Sequence, residues 1–219
     1  DVVIWLASLS NNAMYGVDYD LTHKVNTTIH KSNEVRFIYA SSVAVLDPNS
    51  DYAKDKLECE EKLKDTGAII VRSASVCGYS PHQRLDLTVN MMVHHSYRYG
   101  IINVNGGEQK RSHIHIQDLC DFYKLLLKRG MPGETYTVVA QNQSVKTTAE
   151  IVSEVTGAVI LTGPATDNRS YTAEPKMLGF VPKKSVYDAA HDLLIKFESG
   201  YWPDSMGNDF YLNIAHGLV

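Results

Sequence analysis

No hydrophobic run in this sequence is longer than a strand, so no stretch reads as a membrane-spanning helix, and Asp1-Val2-Val3-Ile4 has neither the basic start nor the apolar core of a signal peptide. Cysteine is scarce: Cys59, Cys77 and Cys120 are widely spaced and form no C-x-x-C pair, which excludes a disulfide framework or a zinc knuckle and reads as reduced thiols. There is no excess of positive charge either. Lys and Arg total 21 against 25 Asp and Glu, giving a net charge of −4 and a pI near 6.1, so neither nucleic acid nor an anionic membrane is expected as a partner. Low-complexity tracts are absent too. What remains is a globular composition, 44% hydrophobic and 21% charged over 219 residues, enough for one sizeable core or a core with a small lobe. A cytoplasmic location is the expectation.

Strand-like and helix-like segments alternate along the chain. The near-continuous apolar run Asp1 to Ser8 fits a parallel strand buried on both faces, and Asp20 to Asn26 reads as a short helix. Arg36 to Ala40 is the next strand, followed by a turn at Asp47-Pro48-Asn49-Ser50-Asp51 whose side chains suit the N-cap of the helix carrying Tyr52. On that helix Glu58/Lys62 and Glu60/Lys64 are spaced as exposed ion pairs, and Thr66-Gly67 ends it. Ala68 to Arg72 is a buried-type strand. Asp86 is placed to cap a helix through Val89, Met92, Val93 and Tyr97 that stops at Gly100, with His94-His95 on its solvated side. Ile101 to Val104 is a strand, Gln117 to Lys128 an amphipathic helix, Glu134 to Val139 a strand, and Thr147-Thr148-Ala149-Glu150 a capping box. Val159 to Leu161 and Ser185 to Glu198 supply a last strand and helix. The class is α/β, with a parallel sheet at least in the first half.

Within this frame one pair carries chemistry. Tyr52 and Lys56 are four apart on a helix, so the phenol and the ammonium lie one turn apart on one face. A free phenol, with a pKa of about 10, is a poor base near neutrality, and a nearby cation favours its ionised form. Ser42, at the end of the strand before the helix, brings a hydroxyl able to hold the oxygen that gains or loses the proton. The same spacing is also common on helices of purely structural role, and the surrounding segments decide between the two.

Those segments resemble the extended short-chain dehydrogenase/reductase family, the nucleotide-sugar epimerases and dehydratases, over nearly the whole chain. Asp1 to Ala7 looks like that family's fourth strand, Tyr39-Ala40-Ser41-Ser42 its fifth strand and catalytic hydroxyl, and Tyr52-x-x-x-Lys56 its signature pair. Val71 to Gly78 resembles the next strand and loop, and Arg84 to Asn90 the helix beside the nucleotide sugar. Gly106 to Asp118 is similar to the family's G-x-x-x-R-x-x-x-H-x-x-D segment, and Asp167 to Tyr171 with Leu178 to Pro182 looks like its C-terminal lobe. The resemblance implies a Rossmann-like sheet with a smaller lobe: residues 1–80 as the remainder of a dinucleotide-binding domain, and residues 81–219 mainly nucleotide-sugar-binding and interleaved with the sheet. It implies NAD or NADP as cofactor, held by Leu6, Ala7, Ser8, Ala40, Ser41, Tyr52 and Lys56, and a nucleotide-diphosphate sugar as partner. Ser42, Tyr52 and Lys56 would be catalytic, with Tyr52 moving a proton, Lys56 biasing it toward phenolate and Ser42 orienting the reacting oxygen. Ser75, Asn90, Arg111 and Arg169 would contact substrate, the arginines at the diphosphate. A homodimer is expected by the same analogy and no metal is expected; His113 and His115 read as satisfied or half-exposed and Arg72 as structural.

The sequence also departs from that pattern. No G-x-G-x-x-G or G-x-x-G-x-x-G occurs in these residues, so no glycine-rich turn here would cradle a pyrophosphate. The stretch from Asn26 to Arg36 is short for a crossover helix and that from Ser42 to Tyr52 is shorter than in relatives, so the expectation is that segments of a larger chain are missing. Val43-Ala44 follow Ser42 where the 4,6-dehydratases place an acid pair, which disfavours dehydration, and Ser75 stands where many epimerases carry asparagine. The expected activity is epimerisation, with 4-ketoreduction as the alternative within the enzyme class and a non-catalytic Rossmann-like binding protein outside it.

Overall fold

A computed structural model describes residues 1–9, 15–16, 18–29, 35–165 and 170–201. The first half comprises β1 (Val2–Trp5), α1 (Tyr19–Thr27), β2 (Arg36–Ser42), α2 (Asp51–Leu63), β3 (Ile69–Ser73) and β4 (Ser75–Cys77). The second comprises α3 (Thr88–Tyr99), β5 (Ile101–Asn105), β6 (Lys110–His115), α4 (Ile116–Arg129), β7 (Thr135–Val138), β8 (Gln141–Ser144), α5 (Val145–Thr156), β9 (Val159–Gly163) and α6 (Val186–Glu198). Strands β1, β2, β3 and β7 form one all-parallel sheet in that order, so the second half contributes a strand to the sheet begun by the first. A second sheet runs β4-β6-β8, parallel then antiparallel, and β5 pairs in parallel with β9.

The apolar runs of β2 and β3 follow from burial on both faces. Phe37, Tyr39 and Ile70 pack on one side with Cys59 and Leu63 of α2, while Ile38, Ile69 and Val71 pack on the other with Phe122 and Leu126 of α4 and Tyr136 of β7. A separate core lies between α3, α5 and α6, where Val89, Val93, Ala149, Val152, Ala189 and Leu193 are buried. Among the described residues no helix is long and apolar enough to cross a membrane.

Several expectations are corrected. β1 is an edge strand among the described residues: it pairs only with β2, and Val2, Val3 and Ile4 are 43%, 38% and 38% exposed. The crossover from β1 to β2 needs no helix after Asn26, because α1 itself supplies it. Glu60 makes no exposed pair with Lys64; it is buried and holds Arg72 by a two-pronged ion pair, since α2 turns that face onto the sheet. His94 is 2% exposed and stacks 5.3 Å from the Phe197 ring where α3 meets α6, and burial pulls its pKa down to about 4. Asp86 does not cap α3, whose N-cap is Leu87, because its carboxylate is taken by Arg84. Helix α5 starts one turn earlier than a capping box at Thr147 implies, with Ser144 accepting from the Thr147 amide. His113 and His115 are both fully packed, at 1% and 3% exposure.

Candidate active site

The carboxyl end of β2 and the amino end of α2 converge on one cleft. Ser42 closes β2 and caps the following 3-10 turn, Val43–Leu46, by accepting from the Ala44 amide at 3.2 Å. Ser50 then caps α2 through the Ala53 amide, which puts Tyr52 in the first helical turn, where the unpaired N–H groups favour negative charge. The short stretch between Ser42 and Tyr52 thus folds back on itself and brings the two side chains together, with the Ser42 hydroxyl hydrogen-bonded to the Tyr52 phenol. Burial holds the phenol above its ordinary pKa, while the charge of Arg84 and the Ser42 hydrogen bond pull the other way.

Lys56, one turn on, is 5% exposed and donates to the carbonyl of Ala40 at 2.9 Å. Its ammonium sits 4.9 Å from the Tyr39 ring centroid and 5.8 Å from that of Tyr52, and burial pulls its pKa down to about 8. Ser41 points to the opposite side of β2 from Ser42 and donates to Glu60 at 2.5 Å, so the strand end is tied to α2 through the same carboxylate that holds Arg72. A second tie comes from Asp55, which accepts from the Tyr15 hydroxyl at 2.5 Å and lies 2.6 Å from Nδ1 of His23 on α1. Together with Glu58, His23 and Asp55 group as metal-ligating side chains, but Asp55 already serves both of these partners.

The cleft measures about 390 Å³ and is lined by five serines, Ser41, Ser42, Ser50, Ser73 and Ser75, together with Tyr52, Tyr171, Asp47 and Arg84. A wall of hydroxyls with one cation and one carboxylate suits a polyhydroxylated ligand better than an apolar one. Ser75 reaches it from β4. Arg111 is 7% exposed and lies behind the wall, its guanidinium 5.3 Å over the ring of Tyr171. Asn90 does not line it: at 3% exposure its amide accepts from Gly78 N at 3.1 Å and donates to the carbonyl of Arg84 at 2.8 Å. Arg169 lies outside the described residues.

Leu6, Ala7 and Ser8 follow the carboxyl end of β1, next to that of β2, where ligands of open parallel sheets bind. Leu6 is 66% exposed there, and Ser8 donates to Asn26 of α1 at 3.2 Å, which pins the strand end. An exposed apolar side chain beside two parallel strand ends, with a buried ammonium and a phenol on the facing helix, fits the nicotinamide end of a dinucleotide. Of the polar cleft residues, sequence reasoning did not single out Asp47, Ser50, Ser73, Arg84 and Tyr171. For Arg84 a local signal existed: Arg84-x-Asp86 in a loop just ahead of an apolar helix is the spacing of an ion pair held close to the backbone.

Solved structures of the same fold include RMD from Pseudomonas aeruginosa complexed with NADPH, 19% identical with a TM-score of 0.76 over 91% of this chain and 82% of that one. UDP-glucose 4-epimerase from Thermotoga maritima with UDP-glucose is 20% identical, with a TM-score of 0.76 over 91% and 78% of the two chains. The dTDP-glucose 4,6-dehydratase from Bacillus anthracis in complex with NAD is 16% identical, with a TM-score of 0.75 over 92% and 74%. At these identities the likeness establishes the α/β, Rossmann-like fold. A sequence model of the NAD dependent epimerase/dehydratase family matches residues 5–139, a span that contains Ser42, Tyr52, Lys56 and most of the cleft, and the chain belongs to that family.

Proposed function

We propose that the protein is a nicotinamide-dependent epimerase of a nucleotide-diphosphate sugar, and that Ser42, Tyr52 and Lys56 are its catalytic residues. The observation that carries this reading is the hydrogen-bonded Ser42–Tyr52 pair opening on a hydroxyl-lined cleft at the carboxyl ends of parallel strands. Bound nicotinamide dinucleotide, the family's cofactor, would supply the hydride acceptor and donor. Tyr52 takes the proton from a sugar hydroxyl and later returns it, and Ser42 holds the same oxygen so that proton transfer stays aligned. Lys56 anchors the end of β2 through Ala40 and offers its remaining N–H groups to the cofactor's ribose side. Ala40 and Ser41 of the β2 end, with Leu6, Ala7 and Ser8 beyond β1, border the cofactor. Ser75 contacts the sugar, and Arg111, stacked on Tyr171, serves the diphosphate with Arg169. On this reading residues 1–80 carry the catalytic part of the dinucleotide-binding domain and residues 81–219 most of the sugar-nucleotide lobe.

Val43 and Ala44, and not an acid pair, directly follow Ser42, which favours epimerisation over loss of water. The test is to incubate the protein with a panel of nucleotide sugars and catalytic NAD and to follow sugar configuration by proton NMR alongside reduced-cofactor absorbance. An inverted sugar with no net cofactor turnover is the expected result. Stoichiometric consumption of reduced cofactor with a 4-keto sugar would replace epimerase by ketoreductase, and no conversion across the panel by cofactor-loaded protein would overturn the enzymatic reading.

A further inference from the structure

A second pocket, of about 220 Å³, opens where the amino end of α4 meets α6, and it shares no lining residue with the cleft that holds Tyr52. Its polar wall is made by Tyr79, His115, Gln117, Lys184, Asp192 and Lys196. His115 ends β6 directly ahead of α4, so its imidazole serves as the helix N-cap, with Nδ1 accepting from the Gln117 amide at 3.1 Å. An accepting Nδ1 leaves the proton of the neutral ring on Nε2. Burial lowers the pKa of His115, with Lys184 acting in the same direction and Asp192 and Asp118 opposing, so the ring is neutral at ordinary pH. Nε2 lies beside Gly78, where φ is +99° and a Cβ would stand 2.7 Å away. It is also 3.3 Å from Oδ2 of Asp192 on the pocket wall, without the alignment of a hydrogen bond. His115 is 3% exposed, and a buried donor with no acceptor is costly.

The charges around this donor suit an anion. Lys184 donates to Asp192 at 2.8 Å, so the aspartate is already matched by one cation. Lys196 has no carboxylate partner among the described residues; its ammonium lies 4.5 Å from the ring centroid of Tyr79 and 5.2 Å from that of Tyr201. Two lysines against one aspartate leave the pocket with one positive charge in excess. The amino end of α4, a helix of 14 residues, adds the positive end of its dipole. Asp118 in its first turn does not line the pocket, because its carboxylate is taken by the backbone N–H groups of Lys183 and Lys184. A phosphate group carries at least three acceptor oxygens, enough to meet an imidazole and two ammonium groups at once, which the two oxygens of a carboxylate are not. We propose that this pocket binds a phosphate group, free or carried by a small phosphorylated metabolite, through the Nε2–H of His115 and the ammonium groups of Lys184 and Lys196 at the amino end of α4. The site is additional to the epimerase reading and uses none of the residues that reading places in the cleft.

The test titrates isotope-labelled protein with inorganic phosphate at constant ionic strength and follows the Gln117 amide and the His115 ring nitrogens by NMR, so that phosphate held in the Tyr52 cleft is not counted. Saturable shifts with a dissociation constant of about 1 mM or tighter are expected. Lys196→Met and His115→Asn, the latter keeping an N-cap acceptor but losing the Nε2 donor, should each weaken binding about tenfold, as loss of one charge-assisted hydrogen bond does. Lys184→Met should weaken it further, since it also releases the charge of Asp192. Asp192→Asn removes the opposing charge and should tighten binding several-fold, a gain that a purely structural cluster would not give. Lys128→Met, at the far end of α4, should change it by less than about twofold. Glycerol phosphate in place of inorganic phosphate separates the two sources: tighter binding assigns the pocket to a phosphorylated metabolite, and equal or weaker binding to the free ion. Shifts that fail to saturate at about ten times the expected constant overturn the proposal. So do equal losses in Lys128→Met and Lys196→Met, or the lack of any gain in Asp192→Asn. Should His115→Asn fail to fold, Lys184→Met and Lys196→Met decide by the same comparison. No sugar substrate enters this titration, so a failure of the epimerase reading and a failure of this one are read separately.

Discussion

Around α2, Asp55, Lys56 and Glu60 are 3%, 5% and 5% exposed, three ionisable side chains on one helix turned into the protein. Between α3, α5 and α6 the buried polar residues are Asn90, His94, Ser96 and Thr148, none of them charged, since burial keeps His94 neutral at ordinary pH. The two regions are of similar helical make-up but hold together differently. The second is a hydrocarbon core centred on Leu193 and Phe197. The first depends on pairs: Glu60 with Arg72 and Ser41, Asp55 with Tyr15 and His23, Lys56 with Ala40. Lys56 and Glu60 are tied to the end of β2, and Asp55 ties α2 to α1 and the residue ahead of it. The difference teaches that the helix carrying the proposed catalytic residues is fixed by charge pairing at a cost in desolvation, while the apolar lobe supplies stability away from the cleft.

Substitutions that break or sharpen this contrast fall in a clear order. Glu60→Ala leaves Arg72 and Ser41 without their carboxylate and should cost about 3 kcal/mol or more of unfolding free energy, measured by urea denaturation. Leu193→Ala, which opens a void in the apolar core, should cost about 2–5 kcal/mol in the same assay while the turnover per folded molecule stays unchanged. Activity loss in Leu193→Ala at full folding would blur the division of labour. Lys56→Met tests the charged side through pH. Burial lowers the Lys56 pKa to about 8 from 10.5, so the unfolded chain binds the extra proton between those values. The stability of the unsubstituted protein relative to Lys56→Met should therefore rise as pH increases from about 8 to about 10.5 and stay flat below 8. Thermal melts of the two proteins across that range check the sign. Lys62→Ala, which removes an exposed pair with Glu58, should change stability by less than about 1 kcal/mol.

Much of the first region was legible in the sequence. Strands β2 and β3 show as unbroken apolar runs because both their faces are covered, and Tyr52 and Lys56 show as a pair because helix geometry fixes their separation. What escaped is whatever depends on the partner an element meets. Glu60 looks like a surface charge until β3 supplies Arg72, and His94 looks solvated until α6 supplies Phe197. Strand β1 looks doubly buried, yet its outer edge is unpaired among the described residues. Arg84 escaped in part for the same reason: its spacing from Asp86 hints at a local ion pair, but not that it stands in the cleft of a tyrosine 32 positions earlier in the chain.

The most direct test of the account is the turnover of nucleotide sugar by Tyr52→Phe with NAD bound, read beside the circular dichroism and melting temperature of the same preparation. The account predicts a loss of about a hundredfold to ten-thousandfold with fold and stability intact, the range for removal of a general acid or base. Turnover equal to that of the unsubstituted protein would contradict it.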